Sequence, residues 1–193
     1  MTFTALTDSL NLLRRVAASV PADRLGARTP CSQWTVSQVL LHAAGDQHAW
    51  ASIVGSGSPP SYDPFAPPRH PDGDIKQLIT DAIHAATIAW AGVDPAAQAV
   101  PTPLPPTPTM APELAAAACA LDAAIHAWDV AVAIGQPSPL TGGLASQLDP
   151  AARAIAEPLR GFAYAAALPV QPGDDDPAAA LLRYLGRDPH WAA

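Results

Sequence analysis

The segment LDAAIHAWDVA (residues 121–131) carries the strongly polar side chains of a long apolar run. From residue 114 to residue 134 the chain is otherwise almost entirely alanine and aliphatic residues, and the exceptions are Asp122, His126 and Asp129. A helix that faces water normally carries Lys, Arg or Glu along one side. Because this run has none of them, it predicts a central helix, buried on most sides, in an all-α protein.

Further helices are indicated on both sides of the central run. Apolar residues recur at steps of three and four near the N-terminus, and TVSQ (residues 35–38) has the spacing of a capping box. The first four predicted helices are residues 3–20, 35–54, 72–93 and 112–135. A fifth opens at Asp149-Pro150, carries Ile155, Leu159 and Phe162, and kinks near Pro158. A short last helix covers residues 176–186. No strand is predicted. These parts assemble most simply as a four-helix bundle with C-terminal helical additions.

Two proline-rich connections interrupt the helices, GSGSPPSYDPFAPPRHP (residues 55–71) and DPAAQAVPTPLPPTPTMAP (residues 94–112). Loops of this length inside a compact domain often line or cover a functional site. They also serve as stiff surface spacers, and the sequence favours neither interpretation. We divide the chain into a bundle domain over residues 1–168 and a short helix and tail over residues 169–193.

Composition excludes several function classes. The chain has 193 residues, a net charge of −7 and a single lysine, Lys76, which argues against a nucleic-acid partner. No uninterrupted apolar stretch predicts a membrane span, and the N-terminus lacks the basic start of a signal peptide. Cys31 and Cys119 lie far apart and form no CxxC motif, so we expect a reduced, cytoplasmic protein.

The polar residues of the central helix share one face. At 100° per residue, Asp122 and His126 lie about 40° apart, and Asp129 lies about 20° from Asp122. A buried carboxylate without a partner costs several kcal/mol, so these groups need partners. One interpretation is a structural Asp–His pair. The other is a metal site, because a carboxylate and an imidazole at i and i+4 present two ligands to one ion.

A metal site requires a third ligand from a neighbouring helix. His42 lies at the edge of the apolar stripe of the second helix, whereas His48 and His84 project from other faces of their helices, and His70 and His190 lie in a loop and in the tail. Helical geometry therefore selects His42. Two imidazoles and one carboxylate would leave open positions for water or substrate, as catalytic metal sites require.

Three motifs, TPCSQWTVSQVLLHAAG (residues 29–45), HAWDVAVAIGQP (residues 126–137) and LLRYLGRDP (residues 181–189), occur in an order that resembles the DinB/YfiT-like metal-binding superfamily. The likeness is to the actinobacterial group related to the N-terminal domain of mycothiol-dependent maleylpyruvate isomerase. It implies a four-helix bundle with a divalent metal at one end, commonly zinc, with nickel and iron as alternatives. It also implies His42, Asp122 and His126 as ligands and a low-molecular-weight thiol as cofactor or transferred nucleophile.

Our leading hypothesis is a mycothiol-dependent transferase or isomerase that acts on a small molecule. The resemblance implies a further C-terminal domain in maleylpyruvate isomerases; after about residue 168 this chain has a short tail, so that isomerisation is not assigned. The alternatives are a thiol-independent metal-dependent lyase, hydrolase or cyclase, and a non-catalytic metal or small-molecule binding protein. A homodimer stays open.

Five further groups near these motifs receive an interpretation from the sequence. Asp46, one turn after His42, is a base, an extra ligand or a group that orients His42, or else an exposed helical acid. Asp129 orients a ligand or binds a loop backbone, and we favour the former. Trp34, Trp50 and Trp128 are assigned to the core or a pocket wall, Cys31 to packing, and the acids 174–176 to the cap of the last helix.

Overall fold

The computed structural model describes residues 3–170 and 175–192. Over these residues the chain forms six α-helices, two short strands and two 3-10 turns, which confirms the all-α prediction. The helices are α1 Thr4–Ser19, α2 Val36–Val54, α3 Ile75–Ala91, α4 Pro112–Ala133, α5 Gly142–Ile155 and α6 Pro177–Tyr184. The strands are β1 Val100–Pro101 and β2 Thr109–Met110, and the 3-10 turns are Ala22–Arg24 and Glu157–Leu159.

Helix α4 is the centre of the bundle. It packs against α1, α2 and α5, while α2 pairs closely with α3. Its alanines let the neighbouring helices approach closely, and side chains around its whole circumference are buried, Trp128 completely. By length and composition α4 could cross a membrane, but 83% of its most apolar window is buried inside the bundle. A core helix of this kind passes the same test, and we interpret α4 as one.

The start of α2 follows the prediction closely. The Thr35 hydroxyl accepts a hydrogen bond from the backbone of Gln38, and the Gln38 side chain accepts one from the backbone of Thr35. This reciprocal capping box satisfies two N–H groups that have no partner inside the helix. It fixes where α2 begins, and so it fixes the face on which His42 emerges.

The structure corrects two predictions about secondary structure. No strand was predicted, but the second proline-rich connection contains β1 and β2. They pair antiparallel, with Val100 opposite Met110. Helix α5 does not open at Asp149-Pro150 but seven residues earlier, where Thr141 caps it and accepts a hydrogen bond from Leu144 N. Pro150 lies inside α5, so the Asp-Pro pair that resembles a helix start is an interior position.

The end of α5 also differs from the expectation. Pro158 lies in the 3-10 turn that follows the helix, and Phe162, predicted to lie on the fifth helix, lies in a turn beyond it and is 62% exposed. Helix α3 begins at Ile75, capped by Asp74, rather than at residue 72. Helix α6 is capped by Asp176, whereas Asp174 lies outside the described residues. Helix α6 packs against α5, and the proposed domain division at residue 168 stays a prediction.

Candidate metal centre

Helices α2 and α4 bring the three predicted ligands to one point. His42 Nε2 lies 3.2 Å from Asp122 Oδ1, and His126 Nε2 lies 3.3 Å from the same oxygen. The two imidazole rings meet edge to face with their centroids 4.7 Å apart. One ligand atom from each residue lies within 4.8 Å of the others, a separation that a single ion could bridge. The structure therefore assembles the set that helical geometry selected.

The first proline-rich connection orients His42. His42 Nδ1 lies 2.8 Å from the Pro64 carbonyl oxygen, which can only accept, so Nδ1 donates this hydrogen bond and Nε2 faces Asp122. The loop can come this close because α2 has a glycine at position 45. A Cβ at Gly45 would lie 2.9 Å from a side-chain carbon of Pro64.

Two further hydrogen bonds fasten this connection to α2. The Tyr62 hydroxyl donates to the Leu41 carbonyl at 2.6 Å, and the Gln38 side chain donates to the Pro67 carbonyl at 3.1 Å. Burial raises the pKa of Tyr62 to about 12, so it stays a neutral donor. Part of this connection thus forms a wall of the site, a point that the sequence left open.

A buried ionic cluster contacts the Nδ1 side of the His126 ring. Asp129 is fully buried and its Oδ2 lies 2.9 Å from His126 Nδ1. The Arg187 guanidinium donates to the same carboxylate through Nε and Nη2, each at 2.9 Å. The Cys31 thiol lies 3.2 Å from Asp129 Oδ2 and accepts from Arg187 Nη2 at 3.2 Å. Asp129 therefore contacts the imidazole of His126, and its role in orienting a metal ligand stays a prediction.

Neighbouring positive charges lower the pKa of both Asp129 and Asp122. Burial alone would raise the pKa of Asp129, but the adjacent Arg187 charge and hydrogen bonds from His126 and Arg187 outweigh it and hold that pKa well below its usual range. Burial likewise opposes ionisation of Asp122, and the charges of His126 and His42 outweigh it, so its pKa is also lowered. Both acids are carboxylates at neutral pH.

The front of the site is the point where His42 Nε2 and His126 Nε2 meet Asp122. When both imidazoles are neutral, this point has no positive charge. With both Nδ1 atoms protonated, the lone pairs of two Nε2 atoms point at one carboxylate oxygen, which is repulsive unless a cation lies between them. Burial would lower the pKa of His126, yet the Asp122 charge and hydrogen bonds to Asp122, Asp129 and Cys31 raise it well above its usual value. Asp122 Oδ2 is buried, and none of the described residues gives it a hydrogen bond. A proton or a metal ion at this point would satisfy the cluster, so the residues fit a divalent ion.

Asp46 lies on the wall of the same cavity, one turn after His42. It is half-buried rather than an exposed helical acid. Burial and the nearby charge of Asp122 raise the pKa of Asp46 well above its usual value, which favours the protonated acid. Its role as a base, an extra ligand or a group that orients His42 stays a prediction.

A cavity of about 210 Å³ opens in front of the cluster. Its wall includes Trp34, whose ring centroid lies 4.7 Å from that of His42, and Trp50, which is also in the core. Tyr164 and Arg187 close it on the C-terminal side. A larger cavity of about 500 Å³ near Phe3 and Pro150 has Glu113 as its one charged lining residue among those described, so the smaller cavity is the better candidate site.

Sequence reasoning missed several residues of this site. Arg187 stands in the quoted motif LLRYLGRDP, but nothing in the spacing connected it to Asp129, 58 positions earlier. Cys31 was assigned to packing, although its sulfur contacts both members of the ionic cluster. Phe65 and Tyr164 lie in irregular segments without a periodic pattern. The one available signal was the placement of Cys31 and Arg187 inside the motifs that carried the resemblance.

The fold and this site define a DinB-like helical bundle with a candidate metal centre between two of its helices. The sequence profile described as "Mycothiol maleylpyruvate isomerase N-terminal domain" matches residues 6–131. The chain belongs to this family.

Proteins of known sequence and structure extend the comparison. The uncharacterised proteins Rv0738 and MT0763, from two strains of Mycobacterium tuberculosis, are each 32% identical to the chain over 175 residues, which is 88% of this chain and 88% of theirs. Two crystal structures of mycothiol-dependent maleylpyruvate isomerase, one of them a variant, align with TM-scores of 0.55 and 0.53. They share 18% and 16% identity and cover 79% of this chain and 70% of theirs. At that identity the likeness shows the fold.

Proposed function

We propose that this protein is a metal-dependent enzyme that uses a low-molecular-weight thiol, mycothiol, in a transfer or isomerisation reaction of a small molecule. His42, Asp122 and His126 are the proposed ligands of a divalent ion. Zinc is our first choice, and nickel and iron also suit two imidazoles and a carboxylate. The family to which the chain belongs supports the thiol, since its description names mycothiol.

One observation carries the metal proposal. Two Nε2 atoms converge on Asp122 Oδ1 at 3.2 and 3.3 Å while both Nδ1 atoms face hydrogen-bond acceptors. Ligating histidines typically donate their other N–H to a carbonyl or carboxylate, and here Pro64 and Asp129 supply one of each. A purely structural Asp–His pair does not need a second imidazole aimed at the same oxygen.

The residues of the chain divide the chemical work in this proposal. A divalent ion in the site would lower the pKa of a bound thiol, so that thiolate is available near neutral pH. Asp129 and Arg187 hold His126, and the Pro64 carbonyl holds His42, so the ligands need no rearrangement. Asp46, which favours its protonated form, donates a proton to a carbonyl oxygen of the second substrate. The apolar cavity wall keeps water away from the thiolate.

The metal proposal is tested by elemental analysis of protein purified without an affinity tag. We expect about one zinc, nickel or iron per chain, lost in His126→Ala and in His42→Ala. His84→Ala is the matched control, because His84 is an exposed histidine on α3 outside the site. No bound metal after reconstitution with all three ions would contradict the proposal and favour a structural Asp–His cluster.

The thiol proposal is tested on cobalt-substituted protein. Addition of mycothiol should produce a thiolate-to-cobalt charge-transfer band, and this band should be absent when mycothiol with its sulfur blocked by methylation is added. Metal without this band would favour the thiol-independent lyase, hydrolase or cyclase. Metal whose removal lowers the melting temperature without any ligand response would favour a binding protein.

Cellular context forms part of the proposal. We infer a cytoplasmic protein, since mycothiol is a reduced thiol and both cysteines of the chain are free. The proposed partners are a small-molecule substrate and the thiol, without nucleic acid or membrane. A homodimer stays a prediction that sedimentation would test.

A further inference from the structure

Two exposed phenylalanines form the mouth of the cavity. Phe65 comes from the first proline-rich connection and Phe162 from the segment after α5, yet their ring centroids lie 4.8 Å apart. They are 40% and 62% exposed. Phe65 also meets the His42 ring edge on, with centroids 5.6 Å apart. Two distant parts of the chain thus place an aromatic lip directly beside one of the proposed metal ligands.

The wall behind the lip continues the same chemistry. Leaving the two histidines aside, thirteen of the twenty residues that line the cavity are apolar or aromatic, and Leu104, Pro105, Ile125 and Leu159 are among them. A large apolar surface that is concave and open at one end marks a ligand site more often than an accident of packing. Its volume of about 210 Å³ suits a molecule no larger than a substituted ring or a short aliphatic chain.

The charges of the cavity are balanced without a substrate anion. Among the described lining residues, Arg187 is the one side chain with a permanent positive charge, and Asp129 neutralises it through a bidentate pair. A divalent ion with the Asp122 carboxylate leaves one net positive charge, which a thiolate would neutralise. No cationic group then remains for a carboxylate of the second substrate, and a carboxylate in an apolar cavity without a partner is costly.

We infer that the second substrate is an uncharged molecule with an aromatic or aliphatic group, which packs under Phe65 and Phe162 beside the thiol, and that dicarboxylates are excluded. This inference rests on the proposed function, because it places that group next to the metal and thiol. It deepens the function by naming the substrate class. Phe65 and Phe162 are its specificity-determining residues.

The test uses three hydroxamic acids that share a metal-binding head and differ in their tails. Benzohydroxamate has a phenyl tail, acetohydroxamate has a methyl, and succinic monohydroxamate has a carboxylate. Their affinity for the zinc-loaded protein is measured by calorimetry. We expect benzohydroxamate to bind about ten- to hundred-fold more tightly than acetohydroxamate, the range for burying one phenyl group. Succinic monohydroxamate should bind no more tightly than acetohydroxamate.

Variants locate the preference at the lip. Phe65→Ala and Phe162→Ala should each bring the benzohydroxamate affinity closer to that of acetohydroxamate and leave the acetohydroxamate affinity unchanged. Ile88→Ala is the matched control, because Ile88 is an exposed apolar residue on α3 that is 57% exposed and lies outside the cavity lining. A preference for the carboxylate tail, or a phenyl preference that survives both variants, would overturn the inference.

Failure of the metal proposal gives a different result. Without bound zinc, none of the three hydroxamates would bind through its metal-binding head. Acetohydroxamate, which has only a methyl tail, would then show no binding. The cavity is then tested on the metal-free protein with p-cresol and maleate, by ligand-observed NMR. Binding of p-cresol that both phenylalanine variants weaken would support the aromatic subsite, while binding of maleate alone would refute it.

Discussion

The two sides of His126 differ in how completely their polar groups are satisfied. On the Nδ1 side of the ring, which we call the rear, the Asp129 carboxylate contacts His126, Arg187 and Cys31. The positively charged Arg187 guanidinium lies 2.9 Å from it. On the Nε2 side of the ring, one Asp122 oxygen faces two imidazoles, and the other is buried without a partner among residues 3–170 and 175–192. The rear cluster is complete as it stands, whereas the front cluster is complete only when a cation joins it. That contrast favours a structural ion pair at the rear and supports the proposed metal site at the front.

The largest expected effect follows from opening the rear cluster. Asp129→Asn removes the charge that compensates the buried Arg187 guanidinium, and loss of one partner of such a pair costs about 3–5 kcal/mol. Asp122→Asn should cost the metal-free protein less, since Asp122 already has an unpartnered oxygen and lies at the cavity. Denaturant unfolding of both metal-free variants measures the difference. Equal losses would contradict the contrast between the two sides.

A double variant separates stability from ligand orientation. Asp129→Leu with Arg187→Met replaces the buried ion pair with apolar side chains, an exchange that is often neutral or stabilising. It should therefore recover much of the stability lost in Asp129→Asn. Zinc affinity should stay lowered by about 10- to 100-fold, because His126 has lost the acceptor that orients its ring. Recovery of zinc affinity as well would show that the rear cluster does not orient the ligand.

Metal binding should stabilise the front cluster by mass action. At a free zinc concentration a thousand times the dissociation constant, the gain in unfolding free energy is about 4 kcal/mol. Thermal unfolding with and without chelator measures the gain. His42→Ala should remove most of it, and the exposed-site control His84→Ala should keep it. A gain that persists in His42→Ala would place the ion elsewhere.

The metal-free protein should become less stable as pH rises above neutrality. The pKa of His126 is raised in the folded state, so its protonated form stabilises the fold fully below the unfolded value of about 6.5. That contribution is lost as pH rises through the folded-state pKa. The carboxylates of Asp122 and Asp129 have lowered pKa values, and their contribution is lost in acid instead.

Unfolding of chelator-treated protein across pH 5 to 9 checks this behaviour. A flat profile above pH 6.5 would mean that no proton occupies the front of His126. Zinc-loaded protein should behave in the opposite way, because a metal competes with that proton and its affinity rises with pH.

Helical periodicity predicts that the three front residues lie together, but it does not predict the contact between Arg187 and Asp129. His42, Asp122 and His126 lie on regular helices, so their faces follow from residue spacing at 100° per residue. Arg187 lies beyond the end of α6, in an irregular segment, and reaches Asp129 through tertiary packing that no local pattern encodes. The same limit explains Phe162, which the sequence places on the fifth helix, whereas α5 ends at Ile155 and the 3-10 turn at Glu157–Leu159 follows it.

The smallest expected effect concerns Cys31, the most peripheral member of the rear cluster. Cys31→Ser keeps a donor toward Asp129 Oδ2, so the ion pair with Arg187 and the orientation of His126 should survive. We expect a loss of about 1 kcal/mol or less in unfolding free energy, the range for one hydrogen bond, with zinc content unchanged. Cys119→Ser is the matched control, since the Cys119 thiol is fully buried and donates to Gln47 Oε1 at 3.1 Å. If Cys31→Ser lost zinc while Cys119→Ser kept it, the sulfur itself would bind the ion, and the division between a complete rear and an incomplete front would have to be redrawn around Cys31, His126 and Asp129.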